Sequence, residues 1–151
     1  EAFIGVRRFT TLSALVPDST GLTARVKTRY TMRATQLALT VDRDLAYSYD
    51  EFRPYYGVTS VGGEVTERIT RVWDVVGRGS RQWLKYRTLV TYSGPVQPDD
   101  IGWTAGAGAG YRVGQSLRVG FDVNYYTRTA GPGRTYEGLR LGGSLTYGLP
   151  Q

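Results

Sequence analysis

The sequence of 151 residues contains no cysteine and no histidine. Without cysteine there is no disulfide framework and no thiolate metal site. Without histidine there is no Ser-His or Cys-His hydrolase couple, no imidazole-ligated zinc and no imidazole pH switch. No stretch approaches the roughly 20 consecutive apolar residues that a membrane helix needs, so a helical membrane protein is excluded. The chain opens on Glu1 rather than Met and shows no secretory leader, which predicts a mature secreted form or an excised fragment.

What is present favours strands. Twenty glycines and twelve tyrosines, among many Thr and Val, fit an all-β protein better than a helical one. The length suits a single domain over residues 1–151. The formal charge is +6, compatible with nucleic acid, with anionic lipid, or with an unbalanced internal charge network. The placement of the charges decides among these.

Eight segments alternate with period two: Ala2–Leu12, Gly21–Tyr30, Ala34–Tyr49, Tyr55–Arg68, Val72–Tyr86, Ile101–Val113, Ser116–Thr129 and Tyr136–Leu149. Most exceed the five or six residues usual in soluble sheets and suit strands crossing a bilayer at a tilt, which takes about 9–11 residues. Short connections at Met32-Arg33, Ile69–Arg71 and Gly114-Gln115 alternate with longer ones at Ser13–Thr20, Asp50–Pro54, Thr88–Asp100 and Ala130–Thr135. Tight turns at one end and long loops at the other are the pattern of outer-membrane barrels. The expectation is an eight-stranded antiparallel up-and-down transmembrane β-barrel.

The two faces separate most clearly in the seventh segment. There Leu117, Val119, Phe121, Val123 and Tyr125 oppose Arg118, Gly120, Asp122, Asn124 and Tyr126. A soluble barrel turns its apolar face inward; a membrane barrel inverts that sense. The aromatics choose. Tyr30, Trp73, Tyr111 and Tyr147 fall near the short-turn end, whereas Tyr47, Tyr55, Trp103 and Tyr125 gather near the long-loop end. Two girdles around a Leu/Val/Ala/Gly band are expected where amphipathic rings sit at headgroup level. A soluble core would concentrate its Phe and Trp at mid-strand, so the membrane sense is preferred.

Three charges disagree: Arg43, Glu67 and Arg8 fall on the lipid-facing side. Strand ends accommodate Glu67 and Arg8, while Arg43 calls for a bulge or snorkelling. The fifth segment also slips parity between Trp73/Val75 and Leu84/Tyr86, and a bulge at Gly77–Ser80 is expected to restore it.

The inward set comprises Arg25, Lys27, Arg29, Asp42, Asp44, Glu64, Arg112, Arg118, Asp122 and Arg140, together with Arg7. The lumen of an eight-stranded barrel is just wide enough for side chains to fill. Cross-strand pairing of these charges predicts a plugged interior, with Gly106, Gly108 and Gly110 leaving room for long arginines.

Residues 41–80, with Arg43-Asp44-Leu45, Tyr47-Ser48, Tyr55-Tyr56 and Trp73-Asp74, resemble outer-membrane β-barrel proteins of the beta-barrel porin 2 type. The resemblance implies a Gram-negative cell-envelope location and an association with exopolysaccharide export, and it carries no defined mechanism. Arg140–Tyr147 also resembles the final-strand signal read by the outer-membrane assembly machinery, with Gly142, Leu145 and Tyr147 at its marked positions.

No catalytic constellation is visible, so an enzyme is not expected. GAGAG at Gly106–Gly110 lacks the helix and the Lys-Ser/Thr of a phosphate loop. Asp50-Glu51 and Asp99-Asp100 have the oxygen ligands calcium takes, but acidic loop pairs are usually just solvated. No cofactor, metal or nucleic-acid partner is expected; the lipid bilayer is, with other envelope proteins as further partners. Three functions stay open: a structural or interaction barrel, a narrow pore or accessory of polysaccharide or small-solute transport, and a soluble lipocalin-like binder with its faces reversed.

Overall fold

The computed structural model describes residues 1–10, 18–50, 53–87, 99–131 and 133–148. They form eight strands: β1 (Ala2–Phe9), β2 (Ser19–Met32), β3 (Thr35–Asp50), β4 (Arg53–Arg68), β5 (Trp73–Arg87), β6 (Asp100–Val113), β7 (Leu117–Thr129) and β8 (Thr135–Tyr147). Each pairs antiparallel with its neighbours in chain order, giving one all-β up-and-down sheet, β1-β2-β3-β4-β5-β6-β7-β8. The sheet is not closed: no ladder joins β1 to β8 among the described residues. The expected ends of the first and last strands at Leu12 and Leu149, and most of the Ser13–Thr20 and Thr88–Asp100 loops, lie outside the described residues.

Strict alternation of loop length does not hold. β3 runs to Asp50 and β4 starts at Arg53, with Asp50 opposite Arg53, so the long Asp50–Pro54 connection shrinks to residues 51–52. A register shift between Tyr47 and Asp50 absorbs the difference. The β2–β3 turn is two residues, Arg33-Ala34, and Arg33 takes φ 54°. A left-handed first turn position matches the twist of the flanking strands and normally selects glycine. At the β4–β5 turn, the Thr70 hydroxyl accepts from the amides of Val72 and Trp73. The same end of the sheet holds the β6–β7 turn, where Gly114 has φ 66°.

The bulge expected at Gly77–Ser80 is absent. The ladder runs unbroken from Arg68–Asp74 to Tyr55–Arg87 on one side of β5 and from Trp73–Tyr111 to Leu84–Asp100 on the other. Asp74, Val76, Arg78, Ser80, Gln82, Leu84 and Tyr86 therefore share one face. Leu84 is simply an apolar residue on the polar side, buried at 5 % exposure, and Arg81, Lys85 and Arg87 stand on the opposite face.

Shelter is unequal between the faces. Asp74 and Asp100 are each 3 % exposed on the polar face. On the other face Leu39, Phe121, Leu139, Leu141 and Leu145 are 60–72 % exposed. Tyr55 and Leu84 are the only buried hydrophobic side chains among the described residues. Burying apolar side chains is what ordinarily stabilises a water-soluble domain, and here the sheet leaves them outside. Asp74, Leu84 and Asp100, among the most sheltered side chains, lie on the polar side.

One corner departs from this plan. The β2–β3 ladder ends at Ala24–Arg43, and beyond it Gly21 presses on Leu45. Phe9 lies edge-on to Tyr47 at 4.8 Å between ring centres and 6.3 Å from Tyr55. Arg7 caps the strand edge thus freed, donating to the Leu45 carbonyl at 3.0 Å. No bulge surrounds Arg43 in the β3–β4 ladder, where it sits opposite Thr59; it stays exposed on the apolar face at the point where pairing with β2 stops. Arg8 and Glu67 each lie one residue from a strand end, the former 3.9 Å from Asp18 and the latter accepting from the Thr35 hydroxyl.

Candidate functional site

Strand alternation delivers charged side chains to the polar face at three levels. At the short-turn end Asp74 of β5 receives a two-nitrogen grip from Arg118 of β7, with Nε to Oδ2 at 2.9 Å and Nη2 on Oδ1. These residues sit two strands apart, and β6 lies between them. Gly110, opposite both Asp74 and Gly120, is the reason they meet: a Cβ there would strike the Arg118 guanidinium. Gly106 likewise lies under Asn124. Of the three β6 glycines expected to make room for arginines, only Gly110 does so; Gly106 gives its space to Asn124, and Gly108 lies against Val76 and Asp122. Arg112 approaches the same carboxylate at 3.9 Å, and its buried Nε has no hydrogen-bond partner.

Gly110→Ala is expected to cost about 1–3 kcal/mol, the usual price of forcing atoms into a packed site. Most of that loss should disappear in an Arg118→Ala background. Urea unfolding of the two single variants and the double variant checks it; an equal loss in both backgrounds would mean the arginine does not depend on the glycine.

At mid-sheet, Arg25 donates to Asp42 at 2.7 Å and Arg7 pairs with Asp44 at 2.8 Å. Both arginines are well exposed, beside an opening of about 640 Å³ along β1–β3. Asp122 accepts from the Asn124 amide. Lys27, Arg29, Glu64 and Arg78 line a second cavity of about 230 Å³ floored by β3–β5. Arg140 is exposed on the polar face opposite Asn124.

At the long-loop end Asp100 accepts from Arg128 Nε at 2.9 Å and from the Tyr86 hydroxyl at 3.2 Å. Arg53 lies over the Tyr86 ring at 4.2 Å, and Tyr56 packs on the same ring at 5.2 Å. Asp100 is thus a paired strand residue, not half of a free acidic loop.

Asp74, Asp100, Arg128 and Tyr86 escaped the sequence reading. Asp74 alternates correctly with Trp73 and Val75, but the supposed bulge clouded that strand. Asp100 ends the Pro- and Asp-rich stretch that reads as a loop, while Arg128 continues the Arg118, Asp122, Asn124 alternation and is detectable from it.

Of the eight aromatics expected at an interface, Tyr30, Trp73, Tyr111, Tyr147, Tyr47 and Trp103 are exposed on the apolar face. Trp73 packs on Tyr111 at 5.0 Å and Trp103 on Tyr125 at 5.5 Å. Tyr125 is half-buried and donates to Glu137. Tyr55 is only 3 % exposed, in the corner that Phe9 occupies.

No family model, no curated protein and no solved structure matches the chain. Its chemistry is read from its own residues.

Proposed function

We propose that the chain is an outer-membrane β-barrel whose apolar face meets lipid and whose charged face lines a side-chain-filled interior, so that it acts as a structural or interaction protein of the bacterial envelope. The observation that carries this is the inverted burial: paired carboxylates at 3 % exposure on one face, leucines above 60 % on the other. The exposed aromatics toward both ends and the resemblances of residues 41–80 and Arg140–Tyr147 point the same way.

Placement in lipid demands that the free edges of β1 and β8 find partners, because unpaired backbone groups cost several kcal/mol each in hydrocarbon. The two edges suit each other. Eight strands about 4.8 Å apart and tilted about 40° accumulate a stagger of about ten residues on closure, at about 3.3 Å per residue. The level of Ala2 runs through Val26, Val41, Val61, Arg81, Trp103 and Thr127 to Glu137. About ten residues onward from Glu137 is Tyr147, the last residue of β8; the opposite sense falls outside that strand. All eight residues of β1 then lie along Tyr147–Arg140 with matching faces, Ile4 beside Leu145 and Phe3 beside Thr146.

An Ile4→Cys/Leu145→Cys chain, free of other thiols, should form an internal disulfide on oxidation in lipid, read by mass and gel mobility. Failure of this pair and of its neighbours shifted by two residues would sink closure, and a dimer linked through it would place a second copy in the seam. Reconstituted in planar bilayers, the closed chain should show no stable unitary conductance; a regular conductance would replace the filled interior with the narrow-pore reading.

A further inference from the structure

Ion pairing on the polar face is uneven. At the short-turn end Arg29 of β2, Arg33 of the β2–β3 turn, Arg68 at the end of β4 and Arg112 of β6 surround a cavity of about 240 Å³. Asp74 is the one carboxylate in its lining, and both its oxygens are held by Arg118. Among the described residues, Arg29, Arg33 and Arg68 form no salt bridge, and Arg112 reaches Asp74 only at 3.9 Å. The Arg112 Nε is shielded from solvent and makes no hydrogen bond. A buried guanidinium donor without an acceptor is costly, and such groups ordinarily mark an acceptor still to be supplied.

Backbone strain converges on the same place. Arg33 is the only non-glycine residue with positive φ among the described residues, at a turn position that glycine fills more cheaply. Arg33 lines the cavity, and neither turn geometry nor strand pairing accounts for arginine there. Local strain of this kind collects at ligand sites.

We propose that this cavity binds a phosphate group, free or as a small phosphomonoester, through Arg29, Arg33, Arg68 and Arg112. Guanidinium forks match phosphate oxygens two at a time, and a dianion balances a cluster whose single acid is already engaged. The proposal rests on the polar face being the interior wall. A soluble ligand is favoured over a lipid headgroup because the lining residues stand on that face, opposite Trp73 and Tyr111.

Inorganic phosphate is titrated calorimetrically into the full chain, folded in non-ionic detergent with excess chloride present. Saturable binding is expected, weaker by about tenfold to a hundredfold in Arg112→Gln, the loss of one charge-assisted hydrogen bond. Arg33→Gly should also bind more weakly, with its fold kept, because glycine takes φ 54° freely. Arg140→Gln, on the same face but outside the cavity, should bind as the parent does. No saturable binding, binding abolished by chloride, or equal weakening in Arg140→Gln would overturn the site. Capture of phosphatidic acid vesicles without any response to inorganic phosphate or glycerol phosphate would overturn it too, placing the anion on the outer wall. The same titration on the disulfide-closed Ile4→Cys/Leu145→Cys chain separates the two proposals: absence of binding there rejects the phosphate site and leaves the barrel standing.

Discussion

Leu141→Arg is expected to destabilise the chain folded in lipid vesicles by about 2–4 kcal/mol, the cost of an arginine facing the bilayer midplane. Leu141 is the middle residue of β8 and is 63 % exposed on the apolar face. Thr135→Arg places the same charge on the same face at the strand end, where the cost should fall to about 0–1 kcal/mol. The depth dependence is the signature, because exposure to water gives no reason for one position to differ from the other. Surface substitutions of a soluble domain usually stay within about 0.5 kcal/mol. Urea unfolding of both variants in vesicles gives the comparison. A neutral or stabilising Leu141→Arg, in a chain that stays in solution without detergent, would reverse the assignment of the faces and favour the lipocalin-like binder.

Asp74→Ala should cost about 3–5 kcal/mol, the penalty for leaving a sheltered cation without its partner. The Asp74 side chain is 4 % exposed, Arg118 22 % and Arg112 29 %, so little water is at hand to replace the carboxylate. Adding Arg118→Met should recover much of the loss, since a buried pair replaced as a whole by apolar groups is often neutral. Arg25→Gln supplies the internal standard. Arg25 is 62 % exposed, and losing its pair with Asp42 should cost less than about 1 kcal/mol. Equal losses for Asp74→Ala and Arg25→Gln in urea unfolding would show that water screens the short-turn end as well as the open edge, and the two-strand bridge would lose its structural role.

Much of the fold was legible because strand alternation is a local property. Two residues of repeat suffice to put Arg118 and Asp122 on one face and Leu117 and Phe121 on the other, and neighbouring strands inherit the pattern through their ladders. Neither the bulge at Gly77–Ser80 nor one at Arg43 exists, because a face need not be pure for its ladder to run on. Leu84 on the polar side and Arg81 on the apolar side break that purity without breaking the ladder. The Asp50–Pro54 loop was overestimated because Asp, Phe and Pro read as turn residues, whereas a register shift lets strand pairing run through to Asp50 and Arg53.

By itself, then, the sequence determined eight antiparallel strands in chain order, the chemistry of each face and the meeting of basic and acidic side chains across neighbouring strands. Only the tertiary structure decided the grip of Arg118 on Asp74, the gathering of arginines around one cavity at the short-turn end, and the separation of β1 from β8. The physical reason is range. A ladder partner is set by register between two strands, but contacts that skip a strand depend on curvature, on a missing Cβ such as that of Gly110, and on stagger accumulated across the whole sheet. None of these is written in a two-residue repeat.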